Sequence, residues 1–278
     1  MCELMGLCFA QPVLADFSMH AFAGGDADNP DGWGVAWYPD RSLSLVKESL
    51  TWRRSGFAQF LEKYPGLESR IFIAHIRKQT TGGQPTHADT HPFSREFHGQ
   101  EYCFAHNGTI RNYRELDTTL FQPIGSTDSE RVFCHLLSSA EHDRVALNTE
   151  DGWAWLLRFL QQINAAGSIN CLLSDGERLF IYRDVWGWKG LALRKIRFRN
   201  QDQRRFEDET SEVSVTGDFA NSGFVCATRP LSATGWHVLA RGSLTVLEGG
   251  NLRFSSDVGE DACHTPAEHP SAAETGLQ

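Results

Sequence analysis

No stretch of this 278-residue chain holds the roughly 18–20 consecutive apolar residues that a membrane-spanning helix needs, so a helical membrane protein is not expected. Near its start the chain carries Glu3 and has neither a basic n-region nor a long apolar segment, so a secretory leader is not expected either. Paired cysteines are missing. The seven present (Cys2, Cys8, Cys103, Cys134, Cys171, Cys226 and Cys263) are odd in number, irregular in spacing and form no CxxC. That argues against a disulfide scaffold and for reduced thiols in a cytoplasmic protein. A basic surplus is missing too: 26 Lys plus Arg stand against 35 Asp plus Glu, a net charge of −9, and no nucleic-acid partner is expected. The one dense basic stretch, residues 193–199, is followed closely by acidic residues and reads as a strand with solvated charges. Internal repeats and long low-complexity linkers are also absent.

What is there is enough for a large core, since 41% of residues are apolar and 22% charged. Residues 2–10, 33–38, 42–47, 70–77 and 102–106 read as strands, and 57–64 as a short helix. Residues 80–94, rich in Gly, Pro, Thr and His, read as a loop. Thr127-Asp128-Ser129-Glu130 has the form of a capping box, with Thr127 as cap and Glu130 reaching back to it. It opens a helix whose apolar residues Val132, Phe133, Leu136 and Leu137 keep a helical period, and residues 153–163 predict a second. Strands at 170–174 and 178–183 flank the Asp175-Gly176 turn, and late strands are expected at 224–228 and 242–247, with Gly249-Gly250 as the last turn. Residues 200–221 read as a polar, exposed excursion. Trp33, Trp37, Trp153, Trp155 and Trp236 sit in apolar periodic segments and are expected in the core, whereas Trp186-Gly187-Trp188 reads as a loop over a pocket or a partner contact. Strands and helices come in groups, which favours an α+β layered domain over residues 2–254, with a polar tail at 255–278.

Four features carry chemistry. Removal of Met1 would leave Cys2 first in the chain, a thiol beside its own α-amine, whose ordinary pKa near 8 leaves a useful neutral fraction to act as base. Asn107-Gly108, just past a strand end, offers a side-chain amide and a backbone N–H to one oxyanion, although Asn-Gly is also the commonest hairpin dipeptide. Arg77, followed by the Thr80-Thr81-Gly82-Gly83 loop, can clamp a carboxylate or form a surface ion pair. Asp128 at a helix start can receive an ammonium or simply complement the helix dipole.

Met1-Cys2-Glu3-Leu4-Met5-Gly6, Asp31-Gly32-Trp33-Gly34, Ala74-His75-Ile76-Arg77, Thr90-His91-Pro92-Phe93, Ala105-His106-Asn107-Gly108 and Thr127-Asp128-Ser129-Glu130 occur in this order. As an ordered set they resemble the class II glutamine amidotransferases, which are N-terminal nucleophile (Ntn) hydrolases, and most of all their stand-alone branch. The resemblance covers residues 2–250 or so and implies a four-layer α-β-β-α sandwich. It implies Cys2 as nucleophile with its α-amine as base, and Asn107 and Gly108 as the oxyanion hole. Arg77 would bind the α-carboxylate of glutamine and Asp128 its α-ammonium, with backbone near Thr80 and Thr81 approaching the carboxylate. No cofactor and no metal are implied. After Arg77 the chain departs from the sugar-synthase branch, carrying Lys78 and Thr80-Thr81 where that branch has Trp and then Thr-His. The larger synthases fuse this domain to an acceptor domain, so ammonia would pass to a separate synthase or to no acceptor at all. A γ-glutamyl amide within a larger metabolite is an equally compatible substrate.

Rival readings are a metal hydrolase built on His87-Ala88-Asp89-Thr90-His91, disfavoured by the missing HExxH and paired cysteines, and a catalytically silent glutamine-binding or partner-regulating module. His91 and His106 read as structural hydrogen-bonding groups. The oligomeric state has no signature in the sequence.

Overall fold

The longest strand, β1 (Glu3–Ser18), sends alternate side chains into two different cores, and this alternation sets the architecture. The computed structural model describes residues 2–18, 32–62, 64, 66–76, 86–207, 212–232 and 234–257. Two sheets stack face to face. The first has the spatial order β13 (His237–Val238), β9 (Ala192–Arg197), β12 (Ser222–Ala227), β1, β4 (Glu68–Ile76), β2 (Trp33–Trp37) and β3 (Ser44–Glu48). β11 (Glu212–Gly217) pairs with the distal half of β1, and β10 (Asp202–Glu207) with β11. The second sheet runs β15 (Asn251–Ser255), β14 (Leu244–Glu248), β8 (Arg178–Tyr182), β7 (Gly167–Ser174), β6 (Gln100–Ile110) and β5 (Phe93–Phe97). The pairings β1–β4, β1–β12, β6–β7 and β7–β8, which form the middle of the molecule, are antiparallel.

Strand parity separates three cores. Leu4, Cys8, Ile73, Cys103, Ala105 and Leu172 meet between the sheets. Phe104, Leu173 and Phe180 face outward from the second sheet onto α2 (Asp128–His142) and α3 (Glu150–Ala165), which supply Phe133, Leu136, Leu156 and Leu160. Leu7, Val35, Phe72 and Val225 face outward from the first sheet, where α1 (Gly56–Leu61) contributes Ala58 and Leu61. The order α-β-β-α expected from the sequence is therefore present. Among the described residues the layer over the first sheet is the thinner one, with α1, the 3-10 turn Trp52–Arg54 and the β10–β11 hairpin.

Two expectations are corrected. Residues 200–221 are not an exposed excursion but hold β10 and β11, whose Phe206, Val213 and Val215 are buried while Arg204 and Arg205 pair outside with Asp202, Glu207 and Glu212. A hairpin buried on one face only has a polar average composition, and the alternation rather than the average reports it. The loop reading of 80–94 fails at its end, because β5 begins at Phe93; residues 80–85 lie outside the described residues. Phe93, Arg95 and Phe97 share a face, and the charge that breaks the apolar pattern is paired: Arg95 Nη2 lies 2.6 Å from Glu130 Oε1. Trp33, Trp37 and Trp153 are buried as expected, and Trp155 and Trp236 pack half-buried against the same cores.

Thr127 caps α2 by accepting from Glu130 N, but Glu130 does not reach back to Thr127. Its buried carboxylate accepts instead from Ile124 N (3.1 Å), Gly125 N (2.6 Å) and Arg95, tying the approach to α2 against β5. Glu130→Ala strands the Arg95 guanidinium in a largely buried site, and urea unfolding should show a loss of about 3 kcal/mol, as when one partner of a buried pair is removed.

Candidate active site

The catalytic candidates gather at one end of the sandwich. Side chains at Leu4 and Cys8 point between the sheets, so by parity Cys2 belongs to the same face, and so does Asn107 with Cys103 and Ala105. The two strands bring them together: Asn107 Nδ2 donates to the carbonyl of Cys2 at 2.7 Å. Asn107 is buried at 3% exposure, whereas Cys2 is half-buried. An amide nitrogen has two protons, so one remains for a second acceptor. Among the described cysteines the other five are buried, and burial pushes the thiols of Cys8, Cys103, Cys134, Cys171 and Cys226 up, Cys8 to about 12. Such thiols are poor nucleophiles, and Cys2 is the one with access to solvent.

The start of β1 is fixed on its other side by Thr228, whose Oγ1 accepts from Leu4 N (2.8 Å) while its backbone N donates to Leu4 O (3.0 Å). Gly108 sits where a side chain has no room: an added Cβ would fall 2.0 Å from Ser168 O and 2.6 Å from His106 Nε2. The motif glycine Gly34 has the same kind of reason, since a Cβ there would fall 2.3 Å from His91 O.

His106 explains how the end of β6 is held. Nε2 lies 3.1 Å from Ser168 O and Nδ1 2.9 Å from Ser129 Oγ. A carbonyl only accepts, so Nε2 carries the proton and Nδ1 accepts from the Ser129 hydroxyl. Burial pushes the pKa of this ring down. The unfolded chain therefore takes up that proton first as pH falls, so this contribution to stability is complete above about pH 6.5 and declines below it. Urea midpoints measured from pH 8 to pH 5 should fall on the acid side, and less steeply in His106→Gln.

Asp128 is the first residue of α2. Its Oδ2 accepts from Ile110 N (2.7 Å) and its Oδ1 from Ser129 N (2.9 Å), which puts the carboxylate two residues beyond Gly108. Cys2, Asn107, Gly108 and Asp128 thus converge on the end of β6. Arg77, Thr80 and Thr81 lie outside the described residues; the residue before them, Ile76, pairs with Glu3. Asp89, from the rival metal reading, directs Oδ1 at Ser126 N (2.6 Å) and Oδ2 at Thr86 Oγ1 (2.6 Å). His75 and His91 are buried with their rings 4.2 Å apart. A cavity of about 510 Å³ lined by Arg41, Phe97, His98, Tyr102 and Arg144 opens at the opposite end of β6 and contains none of this set.

Comparison with known proteins decides the family. A family model described as glutamine amidotransferases class-II matches residues 1–271. The chain belongs to the class II glutamine amidotransferases. It is 39% identical over 259 residues to an uncharacterized protein of Methanocaldococcus jannaschii, covering 92% of this chain and 72% of that protein. It is 33% identical to the Escherichia coli protein YafJ, covering 66% of this chain and 72% of YafJ. In structure it matches a predicted glutamine amidotransferase from Pseudomonas aeruginosa with a TM-score of 0.72 at 24% identity, over 91% of this chain and all of the other. A glutamine phosphoribosylpyrophosphate amidotransferase from Bacillus subtilis matches with a TM-score of 0.58 at 14% identity, over 92% of this chain and 49% of that one. The fold is Ntn-hydrolase-like.

Several residues around the family motifs escaped the sequence. Ser129, Ser168 and Thr228 act through hydrogen bonds to segments distant in the chain, which leave no local pattern. Asn170 left a trace: it is a polar residue at an inward position of the apolar run Ile169–Leu173, and it is fully buried opposite Asn107.

Proposed function

We propose that the chain hydrolyses the side-chain amide of L-glutamine, or the amide of a γ-glutamyl compound, with Cys2 as nucleophile after removal of Met1. The observation that carries this reading is the bond from the Asn107 amide to the carbonyl of a half-buried Cys2. It ties the oxyanion donor to the residue whose thiol attacks.

In the proposed reaction the α-amine takes the thiol proton and Cys2 Sγ attacks the amide carbonyl carbon. A C–S bond forms, and the negative charge passes to an oxygen held by the free Nδ2 proton of Asn107 and the backbone N–H of Gly108. The α-ammonium returns its proton to the leaving nitrogen, the C–N bond breaks, and ammonia or an amine departs from a γ-glutamyl thioester. Water, deprotonated by the α-amine, attacks the thioester carbon, the C–S bond breaks, and glutamate and the free thiol result. Arg77 and Asp128 would hold the α-carboxylate and α-ammonium, with backbone at Thr80 and Thr81 beside the carboxylate. The ammonia is released to solvent or passed to a separate synthase; residues 2–254 form the glutaminase unit, and 258–278 of the expected tail lie outside the described residues.

The test is glutamate release from L-glutamine by protein whose Met1 is shown to be absent by intact mass. Turnover supports the reading, and binding of glutamine without turnover supports the silent module. Asp128 touches a part of glutamine that does not react, so Asp128→Asn should raise KM by about tenfold or more, with a smaller fall in kcat. An unchanged KM would remove Asp128 from the ammonium site.

A further inference from the structure

The segment after β8 crosses from the second sheet to the first at the catalytic end, and it is built to an unusual degree. Asp184, fully buried, accepts on Oδ1 from Trp186 N (2.8 Å) and Trp188 N (2.9 Å), and on Oδ2 from Asn164 Nδ2 (2.8 Å) and Ile169 N (2.9 Å). Asn170 closes the loop from below, accepting from Asp184 N and donating to the carbonyl of Trp188 at 2.6 Å. Gly187 and Lys189 hold φ of +76° and +54°. A left-handed non-glycine residue costs free energy and persists where the surroundings over-determine it. What this network presents to solvent is two indoles, Trp186 at 36% and Trp188 at 43% exposure, although tryptophan is otherwise a residue of cores and binding sites.

The loop stands beside the nucleophile. Asn170, which holds Trp188, is paired in register with Asn107, which holds Cys2. At the loop's far end Leu191 is buried between the sheets, and a Cβ on Gly190 would lie 3.4 Å from the carbonyl of Thr228, the residue that fixes Leu4. Lys189 Nζ lies 5.6 Å from the Trp188 ring centroid, and Glu3, next to Cys2, feels the positive charge of both Lys189 and Arg229. Asp128 and the end of β4 lie on the β4–β6 side of Cys2, whereas this loop lies on its β12–β8 side. If Asp128 binds the glutamyl end, the group leaving from the scissile nitrogen is directed to the loop.

Resting on the glutaminase-type reading above, we propose that Trp186, Trp188 and Lys189 form a subsite for the amine half of the substrate, and that the preferred substrates are γ-glutamyl amides whose amine half carries a planar ring. Preorganised indoles offer stacking area with little side-chain entropy to lose, and the neighbouring cations accept a carboxylate on the same amine. Free ammonia leaves this subsite unused.

The test compares γ-L-glutamyl-L-phenylalanine with γ-L-glutamyl-L-alanine, which differ only in the ring. The wild-type kcat/KM ratio should favour the phenylalanine compound by about three- to tenfold, the range for one aromatic contact. Trp188→Ala should bring the ratio close to one and Trp188→Phe should restore it. The ratio is taken within each variant, so a general loss of activity cancels. Equal kcat/KM for the two compounds, in a protein that releases glutamate from glutamine, overturns the subsite and leaves the glutaminase reading intact. If no compound is turned over, calorimetric binding to Cys2→Ala protein decides: tighter binding of the phenylalanine compound, lost in Trp188→Ala, supports the subsite without the chemistry, and equal binding overturns it.

Discussion

Cys2→Ala should reduce glutamate release from L-glutamine by at least about 10⁴-fold, with the fold unchanged by circular dichroism. Removal of a covalent nucleophile forfeits the whole two-step pathway, and the residual rate reports only binding and oxyanion stabilisation. The position tolerates the substitution sterically, because Cys2 is half-buried and its bond to Asn107 is made through its backbone carbonyl, which alanine keeps. The α-amine also survives in the variant, so the experiment separates the thiol from the base. A loss below tenfold would move the nucleophile elsewhere, and the other described thiols, all buried and pushed up in pKa, are poor candidates to replace it.

Asn107→Ala should lower kcat by about 100- to 1000-fold, with KM for glutamine changed much less. Two effects act together. The oxyanion loses a side-chain donor, and the carbonyl of Cys2 loses its 2.7 Å partner, which frees the nucleophile's backbone. Asn107→Asp also loses both contacts and adds a charge: it keeps the size of the side chain, but an ionised carboxylate donates to neither oxygen and repels the developing oxyanion. It should be at least as inactive as the alanine variant. Activity near wild type in either variant would show that Asn107, which lies inside β6 and not in a turn, serves only to join β6 to β1.

The central strands were legible because they are short, continuous apolar runs. The residues around Leu4 and Cys8, and around Cys103 and Ala105, are apolar on both faces and are buried on both. The helix after Thr127 was legible through its cap. Illegible were the elements whose signal is mixed: β5, whose helix-facing Arg95 looks wrong until its partner Glu130 is known from another element, and the β10–β11 hairpin, whose charged face outweighs its buried one. For the candidate site, compact local motifs singled out Cys2, Asn107, Gly108 and Asp128, which lie together at the end of β6. The supporting shell did not show, because Asn170, Ser129, Ser168 and Thr228 are brought in by pairing between distant segments. The role given to Glu130 was the near miss: a capping box is a local rule, and two N–H groups at Ile124 and Gly125 together with the Arg95 charge outbid it.

The central claim is that the γ-glutamyl group passes through the sulfur of Cys2. The most direct measurement is to mix Met1-processed protein with L-glutamine, quench in acid within the first turnovers, and map the mass of the N-terminal peptide. The account predicts a peptide that begins at Cys2 and carries one glutamyl group on its sulfur, discharged on return to neutral pH and absent from the Cys2→Ala protein. Glutamate released at the same rate by wild-type and Cys2→Ala protein, with no glutamyl group on that peptide at any time, would contradict it.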